Sequence, residues 1–127
     1  MNKPKSKKIV IDLDNTLTFD DGDLAYEERL PRPEVVSKLR EYQVCGYEVV
    51  IHSARNMKTY AGNLGKINVH TLPVILSWLE RHQVPFDEVV VGKPWCGEEG
   101  FYVDDRAIRP KEFVELNIEQ INALLKH

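Results

Sequence analysis

The stretch KIVIDLDNTLT, residues 8–18, decides the fold of this chain. Its apolar, β-branched part, Ile9–Leu13, predicts a buried strand, because the polar residues directly after it break any helical pattern. Two carboxylates, Asp12 and Asp14, then stand at the carboxyl end of the strand, where ligands bind in open α/β sheets. Two anions so close repel each other unless a cation joins them, and a hard divalent ion such as Mg²⁺ prefers oxygen ligands.

Chain length and composition indicate one globular domain. The 127 residues have room for a single core, so we treat residues 1–127 as one domain. Hydrophobic residues make up 43% and charged residues 29%, which is typical of a folded globular protein. The net charge of −3 gives no basic field for nucleic acid, so a nucleic-acid partner is not expected. The lysine-rich start, residues 1–7, is expected to be a flexible tail.

The expected localisation is inferred from three features that the sequence does not contain: a membrane-spanning stretch, a signal peptide and a disulfide pattern. No stretch is apolar for long enough to span a bilayer and no signal peptide opens the chain, so no membrane partner is expected. Cys45 and Cys96 are far apart and form no disulfide or zinc pattern, which fits a reducing cytoplasm. We expect a cytoplasmic protein in which Cys45 is a small buried residue.

Three more apolar runs predict strands: Tyr47–His52, Phe86–Val91 and Phe101–Val103. They alternate with helical patterns that begin at Pro33, at Thr71 as an N-cap, at Pro110 and after Asn117 as an N-cap. This alternation predicts an α/β fold, a single three-layer Rossmann-like domain with a mostly parallel sheet. Between the first strand and the first helix, residues 17–30 form a small flap around an Asp-Gly turn, and the polar residues 56–69 form a long loop that borders the site.

Polar groups follow each predicted strand, and in a parallel sheet these strand ends lie at one edge. Ser53 and Arg55 follow the second strand, Lys93 follows the third, and the pair Asp104-Asp105 follows the fourth. A hydroxyl and a guanidinium can bind phosphoryl oxygens, and a second acidic pair would complete an oxygen-rich metal site. Each group alone also has an interpretation without a catalytic role: Ser53 as a turn cap, Arg55 as a surface residue and Lys93 as a solvated turn lysine.

The four groups together resemble the motifs of the haloacid dehalogenase (HAD) superfamily. Residues 12–16, Asp-Leu-Asp-Asn-Thr, resemble the first motif, and Ser53, Lys93 and Asp104-Asp105 match the second, third and fourth in order. The segments 53–57, 66–73 and 102–110 are more particularly similar to small HAD phosphatases associated with capsular polysaccharide biosynthesis. The gaps between the motifs leave no room for the cap domain that many members carry, so the resemblance implies a capless HAD-like domain.

The resemblance implies catalytic roles for four residues. Asp12 would be the nucleophile that takes the phosphoryl group, and Asp14 would protonate the leaving oxygen and later deprotonate the attacking water. Ser53 would hold a transferring oxygen, and Lys93 would neutralise charge on Asp12 and the phosphoryl group.

A Mg²⁺ cofactor is also implied, bound by Asp12, by the backbone carbonyl of Asp14 and by the later acidic pair. We expect Asp105 to contact the metal directly and Asp104 through water, although the sequence leaves their order open. Four further residues are candidate substrate contacts: Arg55, Asn56, Arg106 and Arg109.

The expected function is Mg²⁺-dependent hydrolysis of a phosphomonoester through an aspartyl-phosphate. The expected substrate is a small molecule, a sugar phosphate or related metabolite of capsule or surface polysaccharide biosynthesis. Ser-x-Arg at 53–55 and Asp-Asp-Arg at 104–106 also resemble polynucleotide 3′-phosphatases, which the acidic composition disfavours. A non-catalytic phospholigand-binding module on the same fold is the alternative of another class. A capless site implies either a bulky substrate or a homo-oligomer whose neighbouring subunit covers it.

Overall fold

The computed structural model describes residues 6–126 of the chain. At its centre lies a parallel sheet of three strands, β1 (Lys8–Asp12), β2 (Glu48–Ser53) and β3 (Glu88–Val91), in the order β1-β2-β3. The strands are parallel and in register, so their carboxyl ends lie at one edge of the sheet. The α/β class with a parallel sheet in a single Rossmann-like domain is thus confirmed.

Residues 6–126 contain five α-helices: α1 (Pro33–Val44), α2 (Leu64–His70), α3 (Leu72–Arg81), α4 (Pro110–Glu115) and α5 (Ile118–Leu124). A 3-10 turn, Tyr26–Glu28, lies within the segment between β1 and α1. Helix α1 connects β1 with β2, and α2 and α3 connect β2 with β3, as parallel pairing requires. Pro33 begins α1 with its preset φ, and Gly46, with φ of +92°, turns the chain after the helix toward β2. No helix in the described part of the chain is long and apolar enough to cross a bilayer.

One apolar core lies between the sheet and the helices. From the sheet it takes Ile11, Val49 and Ile51, which alternate along their strands with residues of the opposite face. From the helices it takes residues at helical spacing: Val35, Val36, Leu39, Tyr42, Ile75, Trp78, Leu79, Phe113 and Ile121. Val74 and Leu124, which the spacing also predicts as core residues, are 37% and 48% exposed.

The predicted flap, residues 17–30, is present and is closed at its base. Thr18 and Pro31 form an antiparallel bridge, and Phe19 N donates to Leu30 O at 3.0 Å. The indole Nε1 of Trp78 in α3 donates to Arg29 O at 2.7 Å, so the buried core holds the far side of the flap. No cap-sized insertion interrupts the described residues 6–126, as predicted.

The prediction of a fourth strand at residues 101–103 is wrong. Residues 101–103 form no ladder with β1 or β3, and Phe101 and Val103 are 79% and 89% exposed. The chain leaves β3 through Gly92 and then follows an irregular path with turns, in which Tyr102 Oη donates to Pro94 O at 2.6 Å. This local hydrogen bond folds the segment back on itself, so the apolar run does not reach the sheet.

The predicted loop over residues 56–69 is partly helical. Its second half is α2, whose N-cap Asn63 accepts a hydrogen bond from Lys66 N at 3.1 Å and whose Ile67 is fully buried. A single apolar position per turn was too weak a pattern to predict this short helix. Thr71 stands before α3 as predicted, but its hydroxyl donates to Asn56 Oδ1 at 2.7 Å rather than capping the helix.

Two further expectations concern the chain ends and the cysteines. Residues 1–5 and 127 lie outside the described residues, so the flexible tail predicted for residues 1–7 is described only from residue 6. Lys7 O accepts the hydrogen bond of Glu48 N at 2.9 Å, which extends the pairing of β1 with β2 by one residue. Cys45 is exposed, not buried, because it lies at the solvent end of α1.

Acid should weaken the packing at the end of α3. Burial and the neighbouring Arg81 lower the pKa of His82, whose ring packs against Trp78 with the ring centres 4.7 Å apart. The unfolded chain therefore binds a proton that the native protein resists, and stability falls as pH drops through about 6.5. The free energy of unfolding, measured in urea between about pH 7.5 and 5.5, should fall less in His82→Gln than in the wild type. An equal fall in both proteins would contradict this assignment.

Candidate active site

The three strand ends bring Asp12, Ser53 and Lys93 to one edge of the sheet, as predicted. Ser53 ends β2, and its carbonyl accepts the hydrogen bond of Lys93 N at 3.1 Å. Gly92 has φ of +87°, and a Cβ at this position would come within 2.5 Å of Leu64 Cδ2. Only glycine suits this turn, and the turn directs Lys93 back toward Asp12.

Asp12 is held by one cation and one hydroxyl. Its Oδ1 lies 3.5 Å from Lys93 Nζ, and its Oδ2 accepts a hydrogen bond from Thr16 Oγ1 at 3.0 Å. The side chain keeps 31% of its surface exposed. A carboxylate oriented on both oxygens yet open to solvent can attack an electrophile that approaches from the open side.

Asn15 turns the chain directly after the second carboxylate, Asp14. Its φ of +64° is a left-handed conformation that asparagine tolerates better than most residues, and its N–H donates to Thr18 Oγ1 at 3.0 Å. This turn brings the side chain of Asp14 beside the flap.

Asp14 lies between two arginines. Arg55 binds it with two hydrogen bonds, Nε to Oδ2 at 3.1 Å and Nη2 to Oδ1 at 2.8 Å. Arg29, from the flap, places its Nη1 3.5 Å from Oδ1. The planar guanidinium of Arg55 matches the carboxylate, so this pair is strong and fixes the orientation of Asp14.

Arg55 itself is buried, with 1% of its side chain exposed. Its backbone N–H donates to Ser53 Oγ at 3.0 Å, and its guanidinium packs on the ring of Tyr26, 4.2 Å from the ring centre. Ser53 is buried as well, with 1% exposure, and because its oxygen accepts this hydrogen bond its hydroxyl hydrogen remains available as a donor.

Two titratable groups near Lys93 have shifted pKa values. Burial, and then the charge of Lys93, lower the pKa of His52, so this residue stays neutral at neutral pH. Burial, and then a hydrogen bond with Cys96, raise the pKa of Tyr102, whose ring centre lies 4.2 Å from Lys93 Nζ. The imidazole of His52 and the phenol of Tyr102 are therefore both uncharged at neutral pH.

Contrary to the prediction, the second acidic pair does not lie at the end of a strand. Asp104 and Asp105 are exposed in the segment that fails to form a strand, and Asp104 Oδ1 accepts from Arg106 N at 2.8 Å. Among residues 6–126, no three histidine, cysteine or acidic side chains are grouped closely enough to hold a metal ion. Mg²⁺ is commonly bound by only one or two carboxylates together with water, and the partly exposed carboxylate of Asp12 fits such a site. The metal roles predicted for Asp12, Asp14, Asp104 and Asp105 stay predictions.

Of the four predicted substrate contacts, one lies in the cluster around Asp12 and Asp14. Arg55 is in the cluster, while Asn56 beside it supports the backbone, with φ of +62° and its Oδ1 bonded to Thr71. Arg106 and Arg109 are exposed, and Arg109 N donates to Glu112 Oε1 at 2.8 Å at the start of α4. Contact of these three with a substrate stays a prediction.

Sequence reasoning missed three members of the cluster: Thr16, Tyr26 and Arg29. Thr16 follows Asp12 by four residues in a tight turn, so its spacing could have suggested the hydrogen bond. Tyr26 and Arg29 lie in the second half of the flap, away from the ends of the predicted strands, and nothing in their pattern places them beside Asp14.

Comparisons with known proteins give one close relative and a wider fold likeness. No protein-family model matches the chain, and no curated protein matches its sequence. A crystal structure of a target protein from Vibrio cholerae is 57% identical over 94% of this chain and 96% of its own, with a TM-score of 0.89.

Two chains from structures of the Pnkp1/Rnl/Hen1 complex, one described as an RNA repair complex, have TM-scores of 0.51 and 0.50 at 23% and 22% identity. The matches cover 89% and 87% of this chain. They cover 36% and 32% of the other two chains, so this chain spans about a third of their length. At this identity the likeness shows a shared fold.

Replacing Arg55 should test the bidentate pair. Arg55→Lys keeps the charge but loses the planar fork, so Asp14 loses one hydrogen bond in a buried setting; we expect a loss of about 1–3 kcal/mol in the free energy of unfolding. Lys58→Gln is the matched control, because it removes a cation from a pair with Glu98 at 3.0 Å in which both side chains are 71% exposed, and it should leave the urea midpoint close to that of the wild type. Urea unfolding measures both, and equal effects would contradict the described role.

Proposed function

This chain belongs to the family of the Vibrio cholerae protein, and we propose that it is a HAD-type phosphatase, which hydrolyses phosphomonoesters through an aspartyl-phosphate intermediate. The observation that carries the proposal is the setting of Asp12 at the carboxyl end of β1. Its carboxylate is oriented by Lys93 and Thr16 and is open on its remaining side. A second carboxylate, Asp14, follows two residues later and is held separately.

In the proposed first step, an oxygen of Asp12 attacks the phosphorus atom and the ester oxygen leaves. Lys93 lies close enough to Asp12 to offset the charge that the phosphate brings to an anionic nucleophile. The free hydroxyl hydrogen of Ser53 can bind a phosphoryl oxygen at the same edge. Asp14 supplies the proton for the leaving oxygen, so the leaving group departs as an alcohol and the phosphoryl group stays on Asp12.

In the second step, water attacks the aspartyl-phosphate and inorganic phosphate leaves. Asp14 takes the proton of this water, which restores its protonated form for the next turnover. Arg55 and Arg29 hold the carboxylate of Asp14 in one orientation for both proton transfers. The pair of carboxylates thus divides the work: Asp12 bonds to phosphorus and Asp14 moves protons.

We propose that Mg²⁺ is the cofactor of the active state. One lysine offsets one charge, whereas Asp12 and a phosphate dianion together carry about three. Asp12, the backbone carbonyl of Asp14 and the pair Asp104-Asp105 would hold the ion, and this pair lies on an exposed segment in this structure. A titration with Mg²⁺ should therefore slow hydrogen exchange of the amides of residues 101–106, a readout that does not depend on activity.

The natural substrate is proposed to be a sugar phosphate or related metabolite of surface-polysaccharide synthesis, on the strength of the sequence resemblance. With no cap in residues 6–126, the site admits a large leaving group or is covered by a second subunit. Hydrolysis of a 3′-phosphate on a polynucleotide is the second candidate. The fold likeness to a chain of an RNA repair complex favours it, and the net charge of −3 disfavours it.

Phosphate release from a panel of sugar phosphates, nucleotides and a 3′-phosphorylated oligonucleotide tests the proposal. With Mg²⁺, the wild type should release phosphate from at least one of them, and a chelator should stop the release. Asp12→Asn should lose roughly a thousandfold or more, because no nucleophile remains. Asp14→Asn should lose roughly a hundred- to ten-thousandfold, because proton transfer fails.

Asp20→Asn is the matched control, since it removes an exposed carboxylate of the flap that contacts neither arginine. It should keep wild-type activity. Release that survives Asp12→Asn in protein free of contaminating phosphatase would refute the mechanism. A protein that binds phosphate esters but hydrolyses none would indicate a binding module. Steep salt dependence with the oligonucleotide would favour the nucleic-acid candidate.

A further inference from the structure

We propose that Arg29 gives the site a second anion-binding position beside Asp14. The substrate is then a phosphomonoester whose leaving group carries its own acidic group, a carboxylate or a second phosphate. This inference rests on the proposed function and names the substrate class of the same site. It starts from the flap, whose residues 17–30 showed no functional pattern in the sequence.

The charges of the cluster do not balance. Lys93 contacts Asp12, and Arg55 binds both oxygens of Asp14. Arg29 is a third cation beside these two anions, and its distance of 3.5 Å from Asp14 Oδ1 is long for a charge-assisted hydrogen bond. The side of the site that faces the flap therefore has one positive charge more than its carboxylates require.

The guanidinium of Arg29 also has unused hydrogen-bonding capacity. Its Nε makes a long contact of 3.4 Å with Leu24 O, and no hydrogen bond of its Nη2 is found within residues 6–126. The side chain retains 12% exposure, so a ligand can reach it. Arg55 Nη1 is buried without any partner in the described chain, which shows that the guanidinium cluster is not saturated by protein groups.

The flap holds Arg29 in place and leaves its Nη2 without a protein partner among residues 6–126. Trp78 Nε1 fixes the backbone carbonyl of Arg29 at 2.7 Å. The ring of Tyr26 packs against both guanidinium groups, 4.6 Å from Arg29 Cζ and 4.2 Å from Arg55 Cζ. A guanidinium that is already oriented loses little conformational freedom when it binds an anion, which favours affinity.

The position of Arg29 fixes which part of the substrate it meets. In the proposed mechanism Asp14 gives its proton to the leaving oxygen, so the leaving group lies beside Asp14. Arg29 contacts the same carboxylate. An acidic group carried by the leaving group within a few atoms of the ester oxygen can therefore reach Arg29, whereas the phosphoryl group itself lies on the side of Lys93.

Matched substrate pairs test the proposal. Each pair differs in one acidic group: glycerol 3-phosphate with 3-phosphoglycerate, glucose 1-phosphate with glucuronate 1-phosphate, and adenosine 3′-monophosphate with adenosine 3′,5′-bisphosphate. We expect kcat/KM to favour the acidic member of at least one pair about tenfold, the scale of one charge-assisted hydrogen bond. The first two pairs report a carboxylate and the third a second phosphate, so they distinguish the two sources of the anion.

Variants assign the preference to Arg29. Arg29→Gln should lower kcat/KM for the acidic member about tenfold more than for the member that lacks the additional acidic group. The effect of Arg29→Lys should be intermediate between those of the wild type and Arg29→Gln. Arg81→Gln is the control, because Arg81 Nη2 also fastens the flap, by a hydrogen bond to Glu27 O at 2.7 Å, and does not contact Asp14. It should leave the ratio within each pair unchanged.

Calorimetry measures how tightly the Asp12→Asn variant binds both members of each pair. Because this variant lacks the proposed nucleophile, the measurement tests the anion-binding position independently of hydrolysis. Tighter binding of the acidic member that disappears in Asp12→Asn combined with Arg29→Gln supports the anion position even if no hydrolysis is found. Equal kcat/KM and equal binding within every pair would overturn it. A preference that survives Arg29→Gln would overturn it as well.

Discussion

The bidentate ion pair between Arg55 and Asp14 is the interaction on which the rest of the site depends. It joins the turn after β1 to the turn after β2, at Nη2 to Oδ1 and Nε to Oδ2 distances of 2.8 and 3.1 Å. Arg55 is almost fully buried, so its charge needs this partner. Through Arg29 and Tyr26 the same pair reaches the flap, and through Arg55 N it positions Ser53 Oγ.

This constraint separates the two carboxylates of the first motif. Asp14 points toward two guanidinium groups, and Asp12 points toward one lysine and the solvent. Two like charges only two residues apart in sequence are thereby held by different cations, which lowers their mutual repulsion. The proposed division between a nucleophile and a proton carrier follows from this difference in surroundings.

Much of the fold could be predicted because its signals are local. The apolar runs of β1, β2 and β3 and the helical spacing of Val35, Leu39, Ile75 and Trp78 each lie within a few residues, and all are in the sheet or core. The meeting of Asp12, Ser53 and Lys93 was also predictable, since parallel strands align their carboxyl ends.

The rest depends on contacts that sequence patterns do not encode. Phe101–Val103 has the composition of a strand, yet it folds back through the hydrogen bond between Tyr102 and Pro94. Arg29 contacts Asp14 although it lies fifteen positions later in the sequence, and its carbonyl is held by Trp78, almost fifty residues further on. Such long-range pairings are set by the packed structure as a whole rather than by local propensity.

The central claim is that Asp12 bonds covalently to phosphorus, and chemical trapping tests it most directly. The protein would be mixed rapidly with its best phosphomonoester, quenched in acid and reduced with borohydride, which converts an aspartyl-phosphate to homoserine. Peptide mapping by mass spectrometry should find homoserine at position 12 and at no other aspartate. Homoserine at another aspartate, or none during active turnover under conditions that trap a known aspartyl-phosphate, would contradict the account.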